Sequence, residues 1–319
     1  MRNLLKGLIT NNLSRYNMNN QKITLDDYEF IFRTKLNGFI YHKRNQIRIE
    51  ETLLDVLKKQ RNVNLNRNIS ILRYTFYIDN LLHNENIERC WLKGIRDLFN
   101  YPYLIDKRQM ADVDVLVKDT EKTRAVLLRE GLSHGGYDYN GNWITGDKAE
   151  IREFERGHYE LFPLSKKLPI HIENSLNLQY LNNSKVYKDD SGFFTDIIYD
   201  VHRELTFGLK PDWLFQKHSF LPVMNELDDL WYMINKCYYE ILEGDSINIQ
   251  SLILTLRKIE SSHYTIDEIK DRVIETGFYN ANALYLMYEL SNNNISEQRL
   301  DSIVNQLINK INKLLSNLK

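Results

Sequence analysis

The sequence predicts an α+β protein that is mainly helical, with a small mixed β-sheet in its middle third. Apolar residues recur at helical spacing near both ends of the chain. Between these parts, short runs alternate apolar with polar residues and are separated by Gly, Pro, Asn and Ser, which is typical of strands and turns. Only 13 glycines and 5 prolines interrupt the 319 residues, which favours long helices. We therefore predict a helical N-terminal region (1–88), a core that holds the sheet (89–206) and a helical C-terminal domain (207–319).

The N-terminal region is predicted to be helical throughout. Thr24 and Asp27 have the spacing of a capping box, and apolar residues follow on one helical face up to Leu36. Residues 49–60 and 69–82 repeat the same pattern. No motif in this region indicates a chemical role.

The middle of the chain predicts a strand, a helix and then further strands. Residues 112–117 (DVDVLV) begin with charge and end apolar, as a buried strand does. A helix should follow, with Thr120 as its cap and Gly131 near its end. Residues 135–147, which are rich in glycine, are predicted to form a long loop. Further strands are expected within three alternating runs, namely 158–164, 168–174 and 196–205.

Helical signals return in the C-terminal domain. Residues 227–238 carry one apolar stripe. Thr265 and Glu268 have capping-box spacing, and Gly277 is expected to end that helix. A last stripe runs from Leu300 to Leu314. These patterns predict a helical domain.

Charge and cysteine content exclude several classes of protein. Lys and Arg number 42 against 43 Asp and Glu, so the net charge of −1 provides no general attraction to nucleic acid or anionic lipid. Two cysteines, Cys90 and Cys237, are too few for a disulfide framework or a four-thiolate zinc site. No stretch reaches the roughly 18 apolar residues of a membrane span, and the N-terminus lacks a signal-peptide cleavage site. The sequence therefore predicts a cytoplasmic protein that neither spans a membrane nor is secreted.

The clearest chemical feature is the pair Asp112 and Asp114 at the start of a predicted strand. Side chains two residues apart project from the same face of a strand, and carboxylates held this close repel each other unless a cation neutralises them. Mg²⁺ prefers such oxygen ligands, and phosphoryl and nucleotidyl transfer need it. The alternative is a pair of acidic residues that faces solvent and holds no ion.

Residues 91–132 resemble the nucleotidyltransferase superfamily typified by DNA polymerase β and the aminoglycoside nucleotidyltransferases, in particular its family of uncharacterised bacterial nucleotidyltransferases. In order, the chain has a helix, the Lys93-Gly94 turn, a Tyr-Pro element, Arg108, the Asp-x-Asp strand and a helix closed by glycine. A later motif of that family, an acidic residue, a hydrophobic residue and His at a strand end, is similar to Asp200-Val201-His202. The resemblance extends over roughly residues 90–280.

The resemblance implies a two-metal site that binds Mg²⁺ through Asp112, Asp114 and a third carboxylate. Asp200 is our choice for the third carboxylate, which would activate the acceptor hydroxyl or share the second metal ion, and Glu173 is the alternative. The remaining predicted residues bind the nucleotide. Lys93 and Arg108 would neutralise triphosphate charge, Gly94 would let the backbone approach a phosphate, and His202 would orient Asp200.

The implied reaction transfers an NMP from an NTP, with ATP as the default donor, to an acceptor and releases pyrophosphate. The acceptor is left open among a small molecule, a peptide or protein side chain and an RNA end, and the near-zero net charge argues against RNA.

A second hypothesis comes from one departure from the family pattern. Many nucleotidyltransferases have Gly-Ser where this chain has Lys93-Gly94, so the serine that would touch a phosphate is absent. The alternative is therefore a catalytically degenerate nucleotidyltransferase fold that binds a nucleotide or a protein partner, in a toxin–antitoxin or biosynthetic context. The intact set of Asp112, Asp114 and Asp200 favours the enzyme.

Overall fold

The computed structural model describes residues 1–18, 21–138, 141–172, 185–206, 208–215, 219–278 and 280–317. The chain divides into two compact units. One combines Met1–Lys59 with Glu226–Lys319, and the other is Gln60–Asn225. The division falls within a long helix, so residues 60–88 pack with the sheet, although the sequence groups them with the N-terminal helices. The three-part domain division stays a prediction.

The first unit is helical apart from a two-stranded ladder. In its described residues the strands β1 (Lys22–Ile23) and β2 (Arg48–Ile49) pair in parallel. Its helices are α1 (Arg2–Ile9), α2 (Tyr28–Arg33), α3 (Asn37–His42), the first part of α4 (Glu51–Asn84), α8 (Glu226–Cys237), α9 (Ile249–Ser261), α10 (Ile266–Thr276), α11 (Ala281–Ser291) and α12 (Glu297–Ser316).

The second unit holds the mixed sheet that the sequence predicts. Its strands are β3 (Arg89–Trp91), β4 (Val113–Val117), β5 (Ser133–Tyr137), β6 (Trp143–Thr145), β7 (Leu164–Pro169), β8 (Val186–Asp189) and β9 (Gly192–His202). They are ordered β3-β4-β9-β7-β5-β6, and β8 also pairs with β9. The β4–β9 pair is parallel and the other pairs are antiparallel. The helices of this unit are the second part of α4, α5 (Lys93–Asn100), α6 (Thr120–Arg129) and α7 (Lys148–Gly157). The α+β prediction is confirmed.

Several predicted helix signals act as expected. The Thr24 and Asp27 side chains form a capping box, as do Thr265 and Glu268. Gly277 ends α10 in the left-handed conformation, which glycine adopts without steric cost. The cap of α6 differs from the prediction: the Asp119 side chain, not that of Thr120, accepts a hydrogen bond from Lys122 N.

Within the glycine-rich segment 135–147, residues 135–137 of β5 pair antiparallel with Trp143–Thr145 of β6, where the sequence predicts a long loop. A Cβ added at Gly135, where φ is +145°, would lie 2.2 Å from the carbonyl oxygen of Ile144. The glycine therefore permits close approach of two strands, a role that composition does not distinguish from that of a turn.

The run 158–164 is also different from its prediction. Glu160 makes only one isolated bridge, with His202, and strand β7 begins at Leu164. None of the helices in the described residues is long and apolar enough to cross a membrane.

Candidate active site

The parallel pairing of β4 with β9 brings three carboxylates together. Asp114 pairs in register with Asp200, and Asp112 lies two residues before Asp114 on the same face. The three side chains offer oxygen atoms within 4.8 Å of one another. Asp114 is only 2% exposed, while Asp112 and Asp200 are half-buried. The structure thus brings the three predicted metal ligands together. Because Asp114 is buried, the alternative of an acidic pair that faces solvent does not apply to this residue.

Burial and mutual repulsion perturb this carboxylate cluster. Burial, together with the charges of Asp112, Asp114 and Glu160, raises the pKa of Asp200 to about 8. Burial also opposes ionisation of Asp114, but the charge of Lys93 and the hydrogen bond from His202 outweigh it and hold the pKa of Asp114 below its usual range. Neutral and charged carboxyl groups therefore stand side by side, as at catalytic sites where environments push pKa values apart.

Glu160 and His202 form a second group around Asp114. Nε2 of His202 lies 3.1 Å from Oδ1 of Asp114 and 3.2 Å from Oε1 of Glu160. The His202 ring is fully buried, and its Nδ1 has no hydrogen-bond partner among the described residues. Burial and the nearby Lys93 charge lower the pKa of His202. A neutral ring with its proton on Nε2 satisfies these facts, so His202 donates towards the two carboxylates.

The sequence analysis missed Glu160. Its segment alternates apolar with polar residues like a strand, but the isolated bridge to His202 is what carries Glu160 to the cluster. A single bridge between distant residues leaves no local pattern in the sequence. Nε2 of His202 contacts the carboxylates of Asp114 and Glu160. The role of His202 in orienting Asp200 stays a prediction.

Lys93 reaches the cluster from the first position of α5. Its Nζ lies 2.5 Å from Oδ1 of Asp114, and the preceding residue, Leu92, donates its backbone N–H to the Asp114 carbonyl over 3.0 Å. Lys93 has φ +46°, a left-handed conformation that costs free energy in a residue with a Cβ. The strained turn places the ammonium group beside the acidic cluster.

Gly94 follows in a crowded position. A Cβ added there would lie 2.7 Å from Sδ of Met110 and 3.3 Å from a guanidinium nitrogen of Arg108. The backbone therefore packs closely against this part of the protein, which only glycine permits without a shift of the Met110 side chain.

Arg108 is placed behind this turn rather than in the carboxylate cluster. Its guanidinium forms a buried ion pair with Asp97, and it is itself only 6% exposed. This position supports the Lys93-Gly94 turn from within the unit. The phosphate contact that the resemblance implies for Arg108 stays a prediction.

Helix α4 fixes the segment that leads to Asp112. The fully buried Arg67 donates from Nε to Thr195 Oγ1 over 2.7 Å and from a terminal nitrogen to the carbonyl of Met110. Asn68 Nδ2 donates to the carbonyls of Ile105 and Arg108 over 2.7 and 2.8 Å. Sequence reasoning assigned no chemical role to this helix, since its contacts to the core join residues far apart in the chain.

A cavity of about 480 Å³ adjoins the cluster. Asp112 and Asp200 line it, together with the β5–β6 hairpin, Phe162 and Ile198. Lys93, Gly94 and Asp114 are not among its lining residues. The carboxylate cluster therefore has one side that borders this cavity and another that faces the Lys93 ammonium.

Glu173, the alternative third carboxylate, lies outside the described residues. Cys90 and Cys237 are buried and form no disulfide, and burial raises the pKa of Cys237 to about 11, which does not suit a nucleophile.

We expect Lys93→Gly to be more stable than Lys93→Ala by about 0.5–1 kcal/mol, because glycine relieves the left-handed strain while both variants lose the ammonium group. Urea unfolding of the two variants measures the difference. Equal stability, or a more stable alanine variant, would contradict the strained turn. Lys93→Arg keeps a positive charge and serves as the control for the ion pair with Asp114.

A scan against protein-family models matches residues 28–252 to a family described as an uncharacterised nucleotidyltransferase. The match contains the whole carboxylate cluster and begins closer to the N-terminus than the resemblance in the sequence. Searches of curated proteins and of solved structures gave no significant match. Since the family model covers more than half of its length, this chain belongs to the uncharacterised nucleotidyltransferase family.

Proposed function

We propose that this protein is a Mg²⁺-dependent nucleotidyltransferase that transfers an NMP, AMP by default, from an NTP to an acceptor hydroxyl and releases pyrophosphate. The observation that carries the proposal is the convergence of Asp112, Asp114 and Asp200, whose oxygen atoms lie within 4.8 Å of one another on two adjacent strands. The family match supports the general class of transferase.

The residues of the cluster fit a divalent metal. All three ligands are carboxylates, which Mg²⁺ prefers to nitrogen or sulfur. Lys93 supplies one positive charge to this cluster. Burial, and the negative charges of Asp112, Asp114 and Glu160 that Lys93 only partly compensates, raise the pKa of Asp200. Asp112, Asp114 and Asp200 would hold the metal, which when bound supplies charge neutralisation at the phosphates and polarises the α-phosphate.

The remaining steps fall to side chains of this chain. The Lys93 ammonium, next to the start of α5, would attract the triphosphate. The acceptor oxygen forms a bond to the α-phosphorus, the bond from that phosphorus to the oxygen bridging the β-phosphate breaks, and pyrophosphate leaves with the electron pair. Asp200, which is ionised above its raised pKa of about 8 or once a metal ion is bound, would take the proton of the acceptor hydroxyl. His202, fixed between Asp114 and Glu160, would hold Asp114 in position.

One observation favours a second candidate, the degenerate fold that binds a nucleotide or a protein partner without catalysis. The Lys93 ammonium already contacts Asp114 at 2.5 Å, so part of the negative charge that a metal would neutralise is neutralised by the protein itself. The absent Gly-Ser motif points the same way. A cytoplasmic location, inferred from two cysteines that form no disulfide, belongs to either candidate.

We expect one NTP to raise the melting temperature in the presence of Mg²⁺ and to raise it little with EDTA. Ligand at a hundredfold excess over Kd stabilises the native state by about 2.7 kcal/mol. The measurement is thermal unfolding with each of the four NTPs, with and without Mg²⁺, on wild type and on the double variant Asp112→Asn/Asp114→Asn. A shift with wild type that the double variant loses supports the metal site.

A shift that is equal with EDTA, or equal in the double variant, would favour metal-independent nucleotide binding and the degenerate candidate. No shift with any NTP would remove the support for a nucleotide site altogether. Pyrophosphate release then separates an enzyme from a binding protein, since only the enzyme turns the donor over.

A further inference from the structure

The proposed reaction leaves the acceptor open, and the side chains that line the cavity beside the carboxylate cluster bear on its identity. Its walls are largely apolar, with Ile144, Phe162, Pro163 and Ile198 around it. Ile144 is 60% exposed at this wall. A volume of about 480 Å³ lies within the range of sites that bind compact small molecules.

The charges around the cavity argue against a polyanionic occupant. Three carboxylates line it, from Asp112, Glu150 and Asp200, against one ammonium group from Lys185. Metal ions bound by Asp112 and Asp200 would neutralise those two, and Glu150 would still balance Lys185. A nucleic-acid backbone needs a surplus of positive charge, which this cavity does not provide.

Charged groups in and beside the cavity favour separate positions for the NTP and for the acceptor. The triphosphate of an NTP is attracted to the Lys93 ammonium, which contacts Asp114 and does not line the cavity. Asp200, the proposed proton acceptor, does line the cavity. An acceptor in the cavity would therefore have its hydroxyl next to the group that takes its proton.

We propose that this cavity is the acceptor site and that it takes a small uncharged hydroxyl compound with an apolar ring or chain. The inference rests on the proposed nucleotidyl transfer. The acceptor packs its apolar part against Ile198 and Phe162 and directs its hydroxyl to Asp200. Its oxygen bonds to the α-phosphorus, its proton passes to the Asp200 carboxylate, and pyrophosphate is the leaving group.

Ile198 offers a direct test because it lies on the same face of β9 as Asp200. Ile198→Trp adds volume within the cavity, whereas Ile198→Ala removes a wall contact at a half-buried position. Leu128→Trp is the matched control, since Leu128 is 43% exposed on α6 and is not a lining residue of the cavity. None of these changes touches Lys93 or the carboxylates.

The probe is a set of uncharged aliphatic and aromatic alcohols at millimolar concentration, whose binding is measured by ligand-observed NMR in the presence of Mg²⁺ and a non-hydrolysable ATP analogue. We expect some of them to bind wild type and Leu128→Trp. Their affinity should fall about tenfold or more in Ile198→Trp, and measurably in Ile198→Ala. The thermal shift with Mg²⁺ and the ATP analogue should be the same in all four proteins.

Three results would overturn the acceptor site. The first is that no alcohol binds wild type, or that binding survives both changes at Ile198. The second is loss of the nucleotide-induced shift in folded Ile198→Ala, which would place the donor nucleoside in the cavity. The third is that a short RNA or a Ser- and Tyr-containing peptide displaces the alcohols and accepts the nucleotide while no alcohol does. Absence of any Mg²⁺–nucleotide shift in wild type would instead refute the proposed function, so the two failures are distinguishable.

Discussion

Asp114→Asn is expected to lower the rate of NTP-dependent pyrophosphate release by about 10³-fold or more, the scale of losing a central electrostatic group at a metal-dependent site. Asp114 is the most buried of the three carboxylates and belongs to both acidic groups, with Lys93 and His202 as its direct partners. A neutral amide removes a metal ligand and also leaves the Lys93 ammonium without its counter-charge. The rate is measured with the preferred NTP and an acceptor that wild type uses.

The same substitution should lower stability, because the depressed pKa of Asp114 means that the folded state favours its ionised form. This stabilisation is present above the usual aspartate pKa of 3.8 and is lost as the pH falls through the lower folded value. The difference in free energy of unfolding between wild type and Asp114→Asn should therefore be full at pH 7 and shrink in acid. Urea unfolding at pH 7 and pH 3 measures it.

Asp190→Asn is the matched control, since it makes the same chemical change at an exposed aspartate in the turn between β8 and β9. Its activity and stability should stay close to wild type. An Asp114→Asn variant that is folded and retains wild-type activity would refute the catalytic role of the cluster. A variant that loses activity only because it unfolds is recognised by its melting temperature.

The parts of the site that follow from local pattern are those that the sequence predicts. The Asp112-x-Asp114 spacing fixes one face of β4, and the apolar run that follows makes it a buried strand. The resemblance to a family motif indicates Asp200, and the structure pairs Asp200 with Asp114. Periodicity and spacing are properties of neighbouring residues, so a single sequence displays them.

The parts that depend on long-range contacts could not be predicted in this way. Arg67 reaches Thr195 across 128 residues, and Glu160 joins the cluster through one isolated bridge. Neither residue has a distinctive local setting. The pairing of β5 with β6 also could not be predicted, because Gly135 has the sequence setting of a loop residue although it permits a close contact between two strands. A single sequence therefore predicts the central carboxylates of the site but not the residues that support or complete it.

Asp200→Asn should have the opposite effect on stability when metal is absent. With its pKa raised to about 8, folded Asp200 keeps a proton that the unfolded chain releases near pH 3.8. The unfolded state thus binds fewer protons between these values, so wild type loses stability as the pH rises from about 4 to about 8. Asparagine has no proton to lose, so its free energy of unfolding lacks this pH dependence. At pH 8.5 the free energy of unfolding of the variant should exceed that of wild type by an amount on the order of a few kcal/mol.

Mg²⁺ should reverse this order, and the reversal distinguishes a metal site from a merely strained acidic cluster. Metal binds the ionised carboxylates of folded wild type and stabilises it by mass action, whereas Asp200→Asn has lost one ligand and gains less. Melting temperatures of both proteins at pH 5 and pH 8.5, with EDTA and with Mg²⁺, give the comparison, and Asp190→Asn again controls for the change from acid to amide.

A variant less stable than wild type with EDTA at pH 8.5 would show that Asp200 is not under repulsion. If Asp200→Asn is instead the more stable protein with EDTA, and Mg²⁺ stabilises it as much as wild type, the repulsion exists but Asp200 does not hold the metal. The only proposed role left to Asp200 would then be to accept the proton of the acceptor hydroxyl.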